Sequence, residues 1–191
     1  MEAGRYLAPK GMGKADVVIL EGAELIREDA VKIGLRLLSD GRANRMVVVL
    51  HQFSQEDQVF ALEEKYTQLI SNALEHYGVG EERGQVILAP IDGHPITLSE
   101  ARFVVAKLSE NKFRSAILLS KGFHTRRSFG VYKQEGNRVG LHVIPYSYFN
   151  EYETNSWWHD AQGISDFVEQ SLKLAYYLLH GYVPIKTLWY C

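Results

Sequence analysis

Five short, almost entirely apolar runs recur along the chain, and segments with helical periodicity separate them. The runs span residues 16–20, 46–50, 86–88, 116–119 and 141–145. Strands that are apolar on both faces are typical of a parallel sheet covered by helices on both sides. With right-handed crossovers, the pattern predicts an α/β fold: a doubly wound, mainly parallel five-stranded sheet with helices on both faces, of the Rossmann-like type.

The intervening segments predict five helices, at residues 25–39, 54–77, 97–110, 124–134 and 161–180. Two of them carry a long apolar stripe at helical spacing, which we expect to face the sheet. In the second helix the stripe is Val59, Leu62, Tyr66, Leu69, Ala73 and Tyr77; in the last it is Ile164, Val168, Leu172, Ala175 and Leu179. No internal repeat, low-complexity tract or linker interrupts the pattern, so residues 1–191 are expected to form a single domain.

Charge and cysteine content exclude several classes of protein. Lys and Arg number 21 against 23 Asp and Glu, a net charge of −2 that lacks the basic surplus of a nucleic-acid-binding protein. No apolar run approaches the roughly 18–20 residues of a membrane-spanning helix. The single cysteine, Cys191, excludes an intrachain disulfide and a thiolate metal cluster, and leaves the cellular compartment undetermined.

Three common motifs are missing from the sequence. No Gly-x-Gly-x-x-Gly follows the first predicted strand, no Gly-Lys-Ser/Thr occurs, and no Gly-x-Ser-x-Gly occurs. The sequence therefore indicates no dinucleotide cofactor, no P-loop and no α/β-hydrolase serine, and it assigns no cofactor.

Polar residues follow the predicted strands at the edge where open parallel sheets bind ligands. They are Glu21 and Gly22, His51, Asp92 with Thr97 and Glu100, and Ser120, Lys121, His124 and Arg127. Three of these, Lys121, His124 and Arg127, lie around the start of a predicted helix, where backbone N–H groups and the helix dipole favour an anion. We therefore predict a phosphate or carboxylate site; the alternative is that the cations are solvated or paired with acids.

Two further alternatives concern the same residues. Thr97 and Glu100 have the spacing of a helix capping box, which would give both a structural role. The side chains of His51, Asp92, His94 and His124 suit zinc or manganese, but no two of them have metal-ligand spacing on one element, so no metal site is predicted.

Three segments resemble the YdcF/SanA/ElyC-like family of bacterial proteins. Residues 15–20 are similar to the family's opening strand with its leading Asp, here Asp16. Residues 97–101 are similar to its Thr-x-x-Asn/Glu-Ala segment, and residues 119–128 to its strand followed by Phe-His-x-x-Arg. The chain departs from the family by having Glu21-Gly22 for Gly-Gly, His51-Gln52-Phe53 for Ser-Gly-Gly, and Ile96 for Asn or Asp.

The resemblance implies a Rossmann-like domain with a polar pocket at the strand ends. It places the family's His and Arg on His124 and Arg127, and it implies pocket roles for Asp16, Thr97 and Glu100. It also implies a link to the cell envelope. Many members carry a membrane anchor ahead of a stretch like residues 4–9, so the chain is either a soluble version or one without its anchor.

Two functional hypotheses follow. In the first, the protein is an enzyme acting on a phosphate-bearing or nucleotide-like small molecule: Lys121 and Arg127 hold the anion, and His124 is a general acid or base. Glu100 or Asp92 orients His124, and Glu21 binds a sugar hydroxyl. In the second, the protein is a non-catalytic binding module for a nucleotide-type metabolite such as S-adenosylmethionine, because no nucleophile and base stand at fixed spacing. The sequence leaves the oligomeric state open.

The aromatic segment 146–158 has several interpretations. It is a lid, a base-stacking wall or a dimer surface, or else its tryptophans pack the last helix onto the sheet. The apolar C-terminal stretch 182–190 is expected to dock on the domain or on a partner.

Overall fold

The computed structural model describes residues 2–23, 27–52, 60–90 and 93–188 and contains one five-stranded sheet. The strands are β1 Ala15–Ala23, β2 Ala43–His51, β3 Gly84–Ala89, β4 Ser115–Lys121 and β5 His142–Tyr148. Their order is β3-β2-β1-β4-β5, and every neighbouring pair is parallel. The predicted parallel α/β fold is confirmed.

Helices cover both faces of this sheet. In the described residues they are α1 Glu2–Leu7, α2 Glu28–Ser39, α3 Phe60–His76, α4 Ile96–Glu110, α5 His124–Val139 and α6 Ala161–Leu179. Within β1, Val18 and Leu20 pack in the core formed with α2 and α3, whereas Val17 and Ile19 pack in the core formed with the other helices. This alternation explains why the strands are apolar on both faces.

The order in which strands are added to the sheet changes direction between β1 and β4. It runs outward from β1 to β2 and β3, then returns through α4 to β4 on the other side of β1. The carboxyl ends of β1 and β4 therefore flank the crevice in which such folds bind ligands. Glu21 lies at the end of β1, and His124 begins the helix that follows β4.

Helix α5 extends further than the sequence predicts. The helix predicted over residues 124–134 continues to Val139 and ends at Gly140, which has φ +75°. Gly136, inside the helix, allows a close approach of chain segments, because a Cβ there would lie 2.6 Å from the carbonyl oxygen of Leu141. A glycine in the sequence indicates a helix end, but this one serves packing.

The predicted inward stripe is wrong for α6 and in part for α3, where Tyr66 packs on the core as predicted. On α3, Ile70 and Leu74 are buried, whereas Leu69 is 61% exposed; Tyr77 of the same stripe is exposed, and Val59 lies outside the described residues. On α6 the buried residues are Gly163, Leu174 and Tyr177, and the whole predicted stripe is exposed. Both helices carry apolar residues on more than one face. The packed face of α6 meets α5, α1 and the turn at residues 157–159 and not the sheet.

The aromatic segment packs around Phe123. This buried ring contacts Phe149, Tyr152, Trp157 and Phe167, and the Trp157 ring stacks on Phe167 at 4.2 Å between centroids. These contacts favour the packing interpretation for Trp157.

The C-terminal stretch begins with a docked residue. Val183 is buried against Gly130 of α5, where a Cβ on the glycine would lie 2.6 Å from a Val183 methyl carbon. Residues 189–191 lie outside the described part of the chain.

The helices in the described residues are all too short or too polar to cross a lipid bilayer.

Candidate functional site

Glu21 and His124 meet at the crevice between β1 and β4. The His124 Nε2 lies 3.0 Å from the Glu21 Oε1, and the Glu21 side chain is 7% exposed. The hydroxyl of Ser128, one turn further along α5, donates to the same carboxylate oxygen and lies 2.9 Å from Nε2. The pair is therefore a partly exposed imidazole backed by a buried carboxylate.

Arg127 contacts the other ring nitrogen of His124, Nδ1. Its NH2 group lies 2.6 Å from Nδ1 of His124. A guanidinium group only donates hydrogen bonds, so Nδ1 must accept and the ring proton must be on Nε2, facing Glu21. The contacts therefore assign a neutral His124 with its proton on Nε2 in this arrangement.

Ser128 does not form a nucleophilic triad with these residues. In a Ser–His–acid triad the hydroxyl and the carboxylate contact opposite ring nitrogens. Here Ser128 and Glu21 both lie at Nε2, and Ser128 is fully buried. Its role is to hold the Glu21 carboxylate.

Arg127 joins three helices at the site. Its NH1 donates to the Thr97 hydroxyl at 2.8 Å, its NH2 lies 3.3 Å from the Gln170 Oε1, and its guanidinium lies 4.8 Å from the centre of the Tyr177 ring. The residue is 6% exposed, and no carboxylate of the described residues lies within ion-pair distance. A buried cation without a counter-ion is unfavourable, so an anion that binds beside it would gain from its charge.

His51 and Glu100 form a second imidazole–carboxylate pair next to Gly22. His51 Nε2 is 2.6 Å from the Glu100 Oε2, and the Tyr132 hydroxyl donates to Oε1 across 2.6 Å. The backbone N–H of Gly22 donates to the same carboxylate at 3.3 Å. A Cβ at this position would lie 2.6 Å from Glu100 Oε2 and 2.7 Å from His51 Nε2, so any larger residue would force these side chains to move.

The buried acids and the tyrosine perturb one another. Burial alone would raise the pKa of Glu21, but its contact with His124 and its hydrogen bond with the Ser128 hydroxyl outweigh burial and lower the pKa. The pKa of Tyr132 is raised by its burial and by the negative charges of Glu100 and Glu21. Tyr132 therefore keeps its proton and remains a donor to Glu100.

Both pairs open onto one cavity of about 590 Å³, which we call the cleft. Its walls are formed by the β strand ends, the start of α4, the start of α5 and one face of α6. The lining side chains include His51, His94, Thr97, Glu100, His124, Arg127, Lys173, Tyr176 and Tyr177. The volume lies within the roughly 300–1,000 Å³ of small-molecule sites. A smaller cavity of about 130 Å³ lies on the other side of Gly22 and His124 and is lined by Glu21, Ser120 and Lys121, among others.

Most of the predicted site residues come together here. Glu21, Gly22, His51, Thr97, Glu100, Ser120, Lys121, His124 and Arg127 line the cleft or the smaller cavity. Asp92 lies outside the described residues.

Asp16 is separate from the site. It lies at the amino end of β1, and its carboxylate accepts hydrogen bonds from the backbone N–H groups of Arg114 and Ser115 at 2.8 and 2.9 Å. These bonds stabilise the charged form and lower the pKa of Asp16. The ligand-binding role implied by the resemblance does not fit this placement; Asp16 joins β1 to the start of β4.

Lys121 departs from the expected anion cluster, and Arg126, which was not part of that cluster, also points away from the cleft. The Lys121 ammonium pairs with Glu151 at 3.1 Å, and Arg27 pairs with the same carboxylate at 3.2 Å. Arg126 donates from Nε to the Tyr6 carbonyl oxygen at 2.6 Å, away from the cleft. For Lys121 the alternative of pairing with an acid applies, whereas Arg127 lines the cleft.

The capping-box interpretation of Thr97 and Glu100 is wrong. The residue that caps α4 is Pro95, so Thr97 lies inside the first turn and accepts from Arg127 rather than from its own helix. The Glu100 carboxylate turns to Gly22, His51 and Tyr132. The side chains of Thr97 and Glu100 therefore form hydrogen bonds with residues of β1, β2 and α5 and not with the backbone of α4.

Several residues of the site were missed by the sequence analysis. Ser128 and Tyr132 follow His124 at intervals of four, which places all three on one face of α5, so spacing alone carried a signal. Gln170 and Tyr177 on α6 also share one helix face, but nothing local indicates that this face meets α5.

Among residues 2–23, 27–52, 60–90 and 93–188, no group of three or more His, Cys, Asp or Glu side chains is placed to hold a metal ion. Comparisons of the chain with protein-family models, with curated proteins and with solved structures found no significant match. The site must therefore be interpreted from its own geometry.

Proposed function

We propose that the protein is an enzyme that acts on a phosphate-bearing, nucleotide-like small molecule bound in the cleft. One observation carries the proposal: two imidazoles, each backed by a buried carboxylate, line the same cavity beside a buried arginine that has no acidic partner in the described residues. This combination supplies an anion subsite and two groups for proton transfer.

The anion subsite is centred on Arg127. Thr97, Gln170 and the Tyr177 ring hold the guanidinium at the wall of the cleft, within reach of a bound anion. Lys173 lines the same cavity, where its ammonium group is paired with Glu169. A phosphate there would accept charge-assisted hydrogen bonds of the kind that guanidinium groups form best.

Proton transfer is assigned to His124 and His51. A phosphate that accepts from Arg127 draws its NH2 group away from Nδ1 of His124 and opens that nitrogen to a substrate proton, while Glu21 stabilises the imidazolium that forms. His51 faces the same cavity with Glu100 behind it. An imidazole can both accept and donate a proton, so the two residues can serve as base and acid in one reaction.

The nucleotide-like character rests on the remaining walls. The cavity is large enough for a ligand with more than a phosphate group, and the Tyr176 and His94 rings line it. Flat aromatic side chains stack on planar groups such as a base.

A second candidate function, a binding module without turnover, has its own support. Both ring nitrogens of His124 are occupied by protein groups, and Ser128 is buried without access to a substrate. Under this alternative the cleft binds a nucleotide-type metabolite, such as S-adenosylmethionine, and releases it unchanged.

Turnover assays separate the two functions. Purified protein is incubated with phosphomonoesters, nucleotides, nucleotide-sugars and S-adenosylmethionine, and products are followed by phosphorus NMR and chromatography. We expect turnover of a phosphate-bearing compound that falls about 10²–10⁴-fold in His124→Gln, the usual contribution of a general acid–base group. Lys107→Gln, an exposed change on α4, is the matched control. Binding of a compound without product in the wild-type protein would support the binding module instead.

A further inference from the structure

A second large cavity lies on the far side of α5 from the cleft. It has a volume of about 740 Å³, and its walls are formed by α1, residues 9–13, one face of α5 and the first half of β5. Arg126, Phe129 and Lys133 line it at helical spacing. His124 and Arg127 line the cleft from the opposite side of the same helix. We call this second cavity the basic groove.

Basic side chains surround the groove. They are Arg5, Lys10, Arg126, Lys133 and His142, and none of the described residues that line the groove is acidic. Arg5 and Lys10 are exposed, and no described carboxylate lies within ion-pair distance of either. The whole chain has 23 acidic residues against 21 Lys and Arg, so this basic surplus is local. Such a lining favours a negatively charged ligand.

The buried part of the lining is mainly apolar. Apart from Arg126, the buried residues that line the groove are Pro9, Phe129, Val143, Ile144 and Pro145. Small-molecule sites in proteins commonly combine apolar walls with a few charged groups, and the volume of the groove lies within their range of roughly 300–1,000 Å³. The lining therefore fits a ligand that has an apolar part as well as a negative charge, rather than a bare inorganic anion.

Met12 adds an exposed apolar side chain to the groove, because it lines the cavity and is 82% exposed. The backbone on both sides of it is fixed, since Arg42 donates to the carbonyl oxygens of Gly11 and Gly13 at 3.0 and 2.7 Å. A Cβ on either glycine would lie within 2.7 Å of the Ile144 side chain, so this stretch passes close over β5. A fixed backbone thus presents a flexible thioether side chain, of the kind that adapts its shape to apolar ligands.

The backbone of β5 beside the groove is already paired. The Gly11 N–H donates to the Pro145 carbonyl oxygen at 2.8 Å. The Ser147 N–H donates to the Pro9 carbonyl oxygen at 3.2 Å. Extended peptides commonly bind by adding a strand to an open sheet edge. Because residues 9–11 occupy this edge, a ligand of the groove must be recognised by side chains, which favours a small molecule over a peptide.

We propose that the basic groove binds a free, single-chain amphiphile with an anionic head group. The tail contacts the apolar lining and Met12, and the head group lies beside Arg5 and Lys10. A membrane fits this site less well, because a flat bilayer surface presents its head groups and does not place an acyl chain inside a cavity. The groove shares no described lining residue with the cleft, so its occupancy does not depend on the reaction proposed there.

Calorimetry with octanoate tests the proposal. Octanoate is titrated into the full chain at concentrations below those at which it forms micelles, and we expect saturable binding of one molecule per chain. 1-Octanol has the same tail without the charge, and butanoate has the same charge with a shorter tail. Each should bind at least about tenfold more weakly than octanoate, since each lacks one of the two sets of contacts.

Removal of the two exposed charges tests the head-group contacts. The double variant Arg5→Gln/Lys10→Gln should bind octanoate about tenfold more weakly, which corresponds to the loss of a hydrogen bond to a charged group. Lys32→Gln/Lys107→Gln is the matched control, because it removes the same charge from two exposed lysines on α2 and α4. This control should keep the wild-type affinity. Arg127→Gln, in the cleft, should also bind octanoate as the wild type does.

Methionine methyl resonances locate the bound tail. In protein labelled at the methionine methyl groups, octanoate should shift the Met12 resonance in the NMR spectrum, because Met12 lines the groove. The Met46 resonance is the internal reference and should not move, since Met46 is fully buried in the core formed with α2 and α3.

Three results would overturn the proposal. The first is the absence of saturable octanoate binding, including binding that occurs only with octanoate micelles or with vesicles of anionic phospholipid. The second is equal affinity for octanoate and 1-octanol, or equal octanoate affinity of the wild type and Arg5→Gln/Lys10→Gln. The third is an unmoved Met12 resonance, or loss of octanoate binding in a folded Arg127→Gln protein, either of which would place the octanoate outside the groove.

Discussion

The Tyr132 hydroxyl donates to the Glu100 carboxylate across 2.6 Å, and both side chains are buried. This bond connects the middle of α5 with the first turns of α4 and sets the oxygen that faces His51. A buried carboxylate that loses a donor is left partly unsatisfied, which costs more than the bond itself contributes.

We therefore expect Tyr132→Phe to destabilise the protein by about 1.5–3 kcal/mol, the range for hydrogen bonds to charged groups. Urea unfolding monitored by circular dichroism measures the change. Tyr6→Phe is the control, because Tyr6 is exposed, and it should stay within about 0.5 kcal/mol of the wild type. Equal stabilities for the two variants would contradict the described role of the Tyr132–Glu100 bond.

A methyl group at position 22 should separate the two members of the second imidazole–carboxylate pair. Gly22→Ala places a Cβ within 2.7 Å of atoms of both Glu100 and His51, so the pair must move apart. We expect a loss of about 1–3 kcal/mol in stability, typical of overpacking. We also expect a shift of the His51 ring resonances in the NMR spectrum. Unchanged His51 resonances in a folded Gly22→Ala protein would show that the pair is not formed as described.

The pH dependence of stability should reveal Glu21. Its pKa is lower in the folded state than the ordinary value of 4.5. Its contribution is therefore fully present above about pH 4.5 and is lost as the pH falls through the folded pKa. Glu21→Gln should be less stable than the wild type at pH 7. The difference in unfolding free energy between the two proteins should shrink steadily as the pH falls below about 4.5. A difference that is constant from pH 7 to pH 3 would contradict the lowered pKa.

Asp16 should behave as a structural residue. Asp16→Asn weakens the hydrogen bonds to the Arg114 and Ser115 N–H groups, and we expect a loss of about 1 kcal/mol in stability. Because Asp16 lies at the other edge of the sheet, the variant should bind ligands of the cleft with wild-type affinity. Loss of ligand binding in a folded Asp16→Asn protein would show that Asp16 contributes to the ligand site and would contradict a purely structural role.

The fold was predictable because the strands have a distinctive composition. Runs such as 46–50 are apolar at every position, and only a sheet covered on both faces buries both sides of such a strand. The edge of the sheet that holds the site follows from the same pattern, since polar residues such as Glu21 and His51 come directly after these runs.

The partners within the site were less predictable. Lys121 and Arg127 are equally basic in sequence, yet one meets Glu151 and the other Thr97 and Gln170, because residues distant in the chain decide these contacts. The inward face of α6 was missed for a related reason. Apolar periodicity identifies an apolar face of a helix, but when a helix has two such faces it does not show which one packs against the core.

Binding of a phosphate-bearing ligand to the Arg127 subsite is the central claim, and isothermal titration calorimetry tests it most directly. Nucleoside monophosphates, and inorganic phosphate as the minimal probe, are titrated into the wild type, Arg127→Gln and the control Lys107→Gln. We predict saturable binding to the wild type and to the control. In a folded Arg127→Gln protein, affinity should fall about 10–100-fold, which corresponds to the loss of a charge-assisted hydrogen bond. Equal affinities of the wild type and Arg127→Gln would contradict the account.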